Sequence, residues 1–154
     1  MLPLSASDGF QRIEILICGS APERNYTSHL IYAHQSCGGM VIKDAKPPWA
    51  MESMPAPRVM GDMLILPNGE ILIINGAQNG FAGWGNATNP ALAPYLYTPN
   101  ASSGERFTVL AASTIPRMYH STANVMPDGR IFVGAPTPML ITFSLESRFQ
   151  LSFV

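Results

Sequence analysis

Asp62-Met-Leu-Ile-Leu-Pro-Asn-Gly-Glu-Ile-Leu-Ile-Ile-Asn-Gly, residues 62–76, decides the fold. Two short apolar runs flank Pro67-Asn-Gly, and that turn chemistry between β-branched stretches predicts a hairpin. Asn68-Gly69 suits the positive φ of a tight two-residue turn. Asp62 to Leu66 is therefore expected to pair with Glu70 to Ile74. The pattern returns as Ala123-Asn-Val-Met, Pro127-Asp-Gly and Arg130-Ile-Phe-Val-Gly, with its turn at Asp128-Gly129. Upstream, Ile13-Glu-Ile-Leu-Ile-Cys-Gly gives a further strand, and Glu14-Ile-Leu-Ile resembles Glu70-Ile-Leu-Ile. Pro57-Arg58 before the first hairpin recurs as Pro116-Arg117 before the second, at a spacing of 59 or 60 residues. No segment sustains a 3.6-residue period, so the chain reads as all-β. A repeat of this length with four short strands reads as a β-propeller blade. The 154 residues hold between two and three such blades. A ring needs at least about four, so the expected architecture is a partial propeller of consecutive antiparallel sheets.

Composition narrows the function. Charged residues are 12% and AVILMFWYC 47% of the chain, which excludes a disordered tail and a coiled coil. A net charge of −1 argues against nucleic-acid binding by charge. Thirteen glycines and 14 prolines cut the chain into short pieces. No apolar stretch approaches the ~18 residues of a membrane span. Met1-Leu-Pro-Leu-Ser lacks the features of a secretory signal. Cys18 and Cys37 lack zinc spacing and form either one bridge or two small buried positions. Asn25-Tyr-Thr, Asn86-Ala-Thr and Asn100-Ala-Ser are glycan acceptor patterns that fit a secreted ancestry.

One cluster has the makings of a chemical site: Ile115-Pro-Arg-Met-Tyr-His-Ser-Thr, with Tyr119 and His120 adjacent. A phenol oxygen and an imidazole nitrogen suit Cu(II), which favours N and O ligands. Neighbours on a regular strand point to opposite faces. A shared ion therefore requires the backbone to bend there; on a straight strand Tyr119 is a core-edge aromatic and His120 is exposed. His29 and His34, near Tyr26 and Tyr32, read as loop residues. Arg58 and Asp62 are placed for a structural ion pair. Met51, Met54, Met60 and Met63 read as core filling, and Trp49 and Trp84 as core or turn packing.

Met54-Pro-Ala-Pro-Arg-Val-Met-Gly-Asp-Met, Leu66-Pro-Asn-Gly-Glu-Ile-Leu-Ile-Ile-Asn-Gly-Ala, Gly83-Trp and Ile115-Pro-Arg-Met-Tyr-His-Ser-Thr together resemble the glyoxal oxidases. These are galactose oxidase-like copper radical oxidases of plants and fungi. The resemblance runs from about Met1 to Val133. It implies a seven-bladed kelch-like propeller and a mononuclear copper. It implies oxidation of small aldehydes to acids, with O2 reduced to hydrogen peroxide, in an extracellular enzyme. Tyr119 matches the axial tyrosine, the base toward substrate, and His120 an equatorial copper ligand. The family's cysteine-linked radical tyrosine and second histidine belong to segments this chain does not match. Cys18 and Cys37 stand in the wrong contexts for that crosslink, which makes them structural.

Residues 1–134 are accordingly read as part of the propeller domain and 135–154 as a divergent tail. With codons chosen for residues 134–142, reading from the third base of codon 134 yields the family-like Ser-Thr-Asn-Thr-Asn-Ala-Tyr-Tyr. The tail is therefore read as a shifted frame and expected to pack poorly or lack regular structure. The isolated chain is expected to be inactive and to self-associate through open blade edges. The alternatives are a kelch-type binding module and a truncated product without function.

Overall fold

The computed structural model describes residues 1–21, 31–42 and 46–135, together with the backbone of 141–146 and 150–153. Among the described residues a 3-10 turn at Ala6–Asp8 precedes thirteen strands. The first sheet is β1 (Ile13–Ser20), β2 (His34–Ile42) and β3 (Ala50–Ser53), in that order. The second takes β4 (Asp62–Ile65) and β5 (Ile71–Ile74), then β8 (Tyr95–Tyr97) and β9 (Phe107–Val109). A separate ribbon, β6 (Ala77–Gly80) and β7 (Ala87–Pro90), interrupts it between β5 and β8. The third is β10 (Thr122–Val125), β11 (Ile131–Gly134), β12 (Ile141–Glu146) and β13 (Gln150–Phe153). All pairings are antiparallel. The chain is all-β, a partial β-propeller of consecutive antiparallel sheets, as the repeat implied.

β5 shows how the sheets stack. All four of its residues are buried, as expected of a strand covered on both faces. Side chains alternate between faces along a strand. Ile71 and Ile73 join Leu16, Cys37, Met54, Tyr95 and Tyr97 toward the first sheet. Leu72 and Ile74 join Leu96, Ala123, Ile131 and Val133 toward the third. One strand thus feeds two inter-sheet cores, each such side chain contributing about 1.5–3 kcal/mol by burial.

Asp62 pairs with Ile74 and Ile65 with Ile71, as expected. The turn is longer than the two residues that Asn-Gly suggested. Leu66 N–H donates to the Glu70 carbonyl at 2.8 Å, and Gly69 N–H returns to the Leu66 carbonyl at 2.9 Å. Only Gly69 has positive φ, +85°. This is a three-residue loop ending in a left-handed glycine, with Pro67 supplying its preset φ at the first position. The second hairpin repeats it: Met126 bonds Arg130 at 2.7 Å and Gly129 returns to Met126 at 2.9 Å.

Two further expectations are corrected. The tail after Ala135 does not lack regular structure: the backbone of 141–146 and 150–153 adds β12 and β13 to the third sheet. Met51 is 65% exposed rather than core filling, whereas Met54 is buried. The cysteine alternatives resolve as a bridge: Cys18 lies opposite Cys37 in the β1–β2 register, and the two are disulfide-bonded. No helix among the described residues is long and apolar enough to cross a membrane.

Candidate metal-binding turn

The lead-in to β10 carries Tyr119 and His120, and its backbone bends as a shared ion requires. His120 takes a left-handed φ of +60°, a conformation costing a non-glycine residue about 1–2 kcal/mol. Ser121 N–H donates to the Met118 carbonyl at 3.1 Å. The Ser121 hydroxyl donates to the same oxygen at 2.6 Å. Instead of opposing each other across a strand, the two rings lie side by side, with centroids 4.0 Å apart and planes 23° apart. Tyr119 is half-buried and His120 exposed.

The turn is anchored upstream. Gly76 N–H donates to the Arg117 carbonyl at 2.6 Å. Gly76 has φ +92°, and a Cβ there would meet the Val59 carbonyl at 2.3 Å, so only glycine allows this approach. In the first repeat the buried Arg58 donates from Nη1 to the Asn75 carbonyl and, at 3.3 Å, to that of Ala91. Its Nη2 reaches the Ala93 carbonyl at 2.6 Å. The guanidinium lies over the Tyr95 ring, 4.5 Å from its centroid. Burial pushes its pKa below the usual guanidinium value. Arg58 is thus spent on backbone carbonyls, and the expected pairing with Asp62 is corrected. Asp62 accepts from Asn75 Nδ2 at 2.7 Å. Burial raises its carboxyl, and the Asn75 hydrogen bond works the other way.

A cleft of about 390 Å³ opens beside the turn, within the range of small-ligand sites. Tyr119, Met118 and Pro116 line one side and the β6–β7 loop, Gly83, Trp84 and Gly85, the other. Trp84 is 78% exposed, not packed as the sequence suggested. Gly83 and Gly85 both have positive φ, and the Asn86 side chain folds over Gly83. That loop turns the indole outward over the cleft. Trp49 is likewise half-exposed and lies against Gly38.

The remaining candidates stay apart from this turn. His34 is the exposed first residue of β2, with its carbonyl accepting from Arg58 N–H at 3.2 Å. His29 lies outside the described residues. Both cysteines are consumed by the disulfide, and the chain has no free thiol. Among the described residues no group of three His, Cys, Asp or Glu side chains is placed to hold a metal ion. Tyr119 and His120 are of the N,O donor type that suits copper.

The family model for the glyoxal oxidase N-terminus matches residues 1–149. An aldehyde oxidase, GLOX1 of Arabidopsis thaliana, is 49% identical over 126 residues, 79% of this chain and 20% of that protein. The aldehyde oxidase GLOX of Vitis pseudoreticulata is 48% identical over 126 residues, 80% of this chain and 24% of that one. Among solved structures, a fungal alcohol oxidase of the AA5 family in complex with copper superposes with a TM-score of 0.62 at 24% identity. It covers 79% of this chain and 24% of its own, and supports the fold. The chain thus spans a fifth to a quarter of these relatives' length.

Proposed function

Since this chain belongs to the glyoxal oxidase N-terminal family, we propose that it carries two of the donors of a copper radical oxidase site, Tyr119 and His120. The observation that supports this reading is the left-handed bend at His120, which brings the Tyr119 and His120 rings together on one side of the chain. In the proposed reaction an aldehyde hydrate is oxidised to a carboxylic acid while O2 is reduced to hydrogen peroxide. His120 binds through its imidazole. Tyr119, facing the cleft, accepts the proton of the bound substrate hydroxyl, and the cleft between Met118 and Trp84 admits a small aldehyde. Copper, when bound, supplies a one-electron redox couple and polarises the substrate oxygen.

The chain alone does not complete this site. Loss of two electrons by the substrate needs a second acceptor besides the metal, and in the family that is a tyrosine linked to a cysteine. Here neither cysteine is available for such a link. The disulfide also supports an extracellular or otherwise oxidising compartment for the folded chain.

The test is hydrogen peroxide release from methylglyoxal by the copper-saturated chain, beside Tyr119→Phe and His120→Ala. Peroxide independent of substrate and unchanged by either substitution is expected, arising from loose copper. Substrate-dependent peroxide abolished by both substitutions would overturn the proposed incompleteness.

A further inference from the structure

The Tyr119–His120 turn differs by one residue from its counterpart in the first repeat. There, Arg58 is followed by Val59, the left-handed Met60 at φ +58°, Gly61, and then Asp62 opening β4. In the second repeat, Arg117 is followed by Met118, Tyr119, the left-handed His120 at φ +60°, Ser121, and then Thr122 opening β10. Each left-handed residue stands two positions ahead of its strand. The extra residue therefore falls between the arginine and that position, which is where the repeat spacing slips from 59 to 60.

In the first repeat Val59 pairs directly with Ala77, and Gly61 follows with no side chain to bond anything. In the second, the longer lead-in is closed by Ser121. Its N–H and its hydroxyl converge on the Met118 carbonyl, at 3.1 and 2.6 Å. Upstream, Gly76 N–H holds the Arg117 carbonyl at 2.6 Å. The two rings sit between these anchors.

We propose that Ser121 is the positioning residue of this turn, its hydroxyl holding the Met118 carbonyl so that Tyr119 and His120 stay stacked on one side. The physical reason is competition. An extended conformation at His120 is favoured locally and would send neighbouring side chains to opposite faces. The hydroxyl bond exists only while the turn is closed, so it opposes that rearrangement. What the rings hold rests on the copper reading; how they are held does not.

The whole chain is compared with Ser121→Ala, Ser121→Gly (the residue of the first repeat) and Ser121→Thr. Nuclear magnetic resonance reads the His120 ring protons, which the Tyr119 ring displaces upfield, with Leu72 and Ile131 methyl shifts reporting the core. Cu(II) alone is then titrated. Ser121→Ala and Ser121→Gly are expected to lose most of the upfield displacement with the core unchanged, and to weaken Cu(II) binding about fivefold. Ser121→Thr is expected to keep both. If Ser121→Ala loses its core, Ser121→Gly decides. Displacement retained without the hydroxyl, or lost in Ser121→Thr as fully as in Ser121→Gly, overturns the assignment. Absence of Cu(II) uptake by the wild type, with the displacement still lost in Ser121→Gly, refutes the copper reading and leaves Ser121 as the positioning residue.

Discussion

Reducing the Cys18–Cys37 bridge is expected to cost about 3 kcal/mol of stability. The two residues are 19 apart in sequence. In the chain-entropy description, a closed loop of about 20 residues restricts the unfolded ensemble by about 11 cal/mol/K, which is ~3.3 kcal/mol at 25 °C. Cys18 and Cys37 face each other in the β1–β2 register. Cys37 is fully buried beside Leu16 and Met54. The assay is equilibrium urea unfolding with and without reductant, read alongside amide exchange. The midpoint should fall by an amount worth about 3 kcal/mol, with β1 to β3 losing protection first and β5 and β11 last. Curves agreeing within about 0.5 kcal/mol would refute the reasoning, as would a loss of protection spread evenly over the three sheets.

Arg58→Met should destabilise the chain by about 3 kcal/mol in the same unfolding assay. It strands the carbonyls of Asn75, Ala91 and Ala93, partly offset by no longer burying a charge. Arg58→Lys should recover little, since one ammonium does not reproduce a fork over three acceptors. Tyr97, which donates to Glu52 Oε1 at 2.8 Å, has its phenol pushed up to about 12 by burial and by the Glu52 carboxylate. A raised folded pKa means the folded chain holds its proton more tightly than the unfolded one. Its contribution, at most about 2 kcal/mol after solvent screening, is therefore complete below pH ~10 and is lost as pH rises through about 12. Tyr97→Phe should flatten that alkaline limb in a pH series of urea midpoints. The outer face of the first sheet exposes Ile13, Ile17, Ile42 and Met51, with Trp49 nearby, an apolar patch of the kind that marks association. Sedimentation should show concentration-dependent self-association, and a monomer throughout the micromolar range would contradict it.

The β4–β5 hairpin was legible because its signals agree: turn residues between two apolar runs. Its loop length was misread because Pro67 occupies the first turn position, leaving Gly69 alone to go left-handed. Ile141-Thr-Phe-Ser-Leu-Glu alternates apolar and polar residues, an ordinary strand signal that the shifted-frame reading overrode. Tyr119 and His120 were legible as a pair but not as neighbours in space, since residue types carry no φ. The slip in repeat spacing was the available sign of the bend. Trp84 was misplaced because its exposure depends on the two flanking glycines and on Asn86 folding over Gly83. The clasp of Glu52 with Arg106 at 3.2 Å joins residues 54 apart, and only the stacking of two sheets brings them together.

Electron paramagnetic resonance of the Cu(II)-loaded chain tests the central claim most directly. The expected spectrum is a tetragonal Cu(II) centre coupled to one protein imidazole nitrogen. His120→Ala should remove that coupling, and no tyrosyl radical should form on oxidation. A centre indifferent to His120→Ala would contradict the assignment of the turn. Two coupled imidazoles accompanied by an oxidisable protein radical would contradict the claim that these residues are only part of an oxidase site.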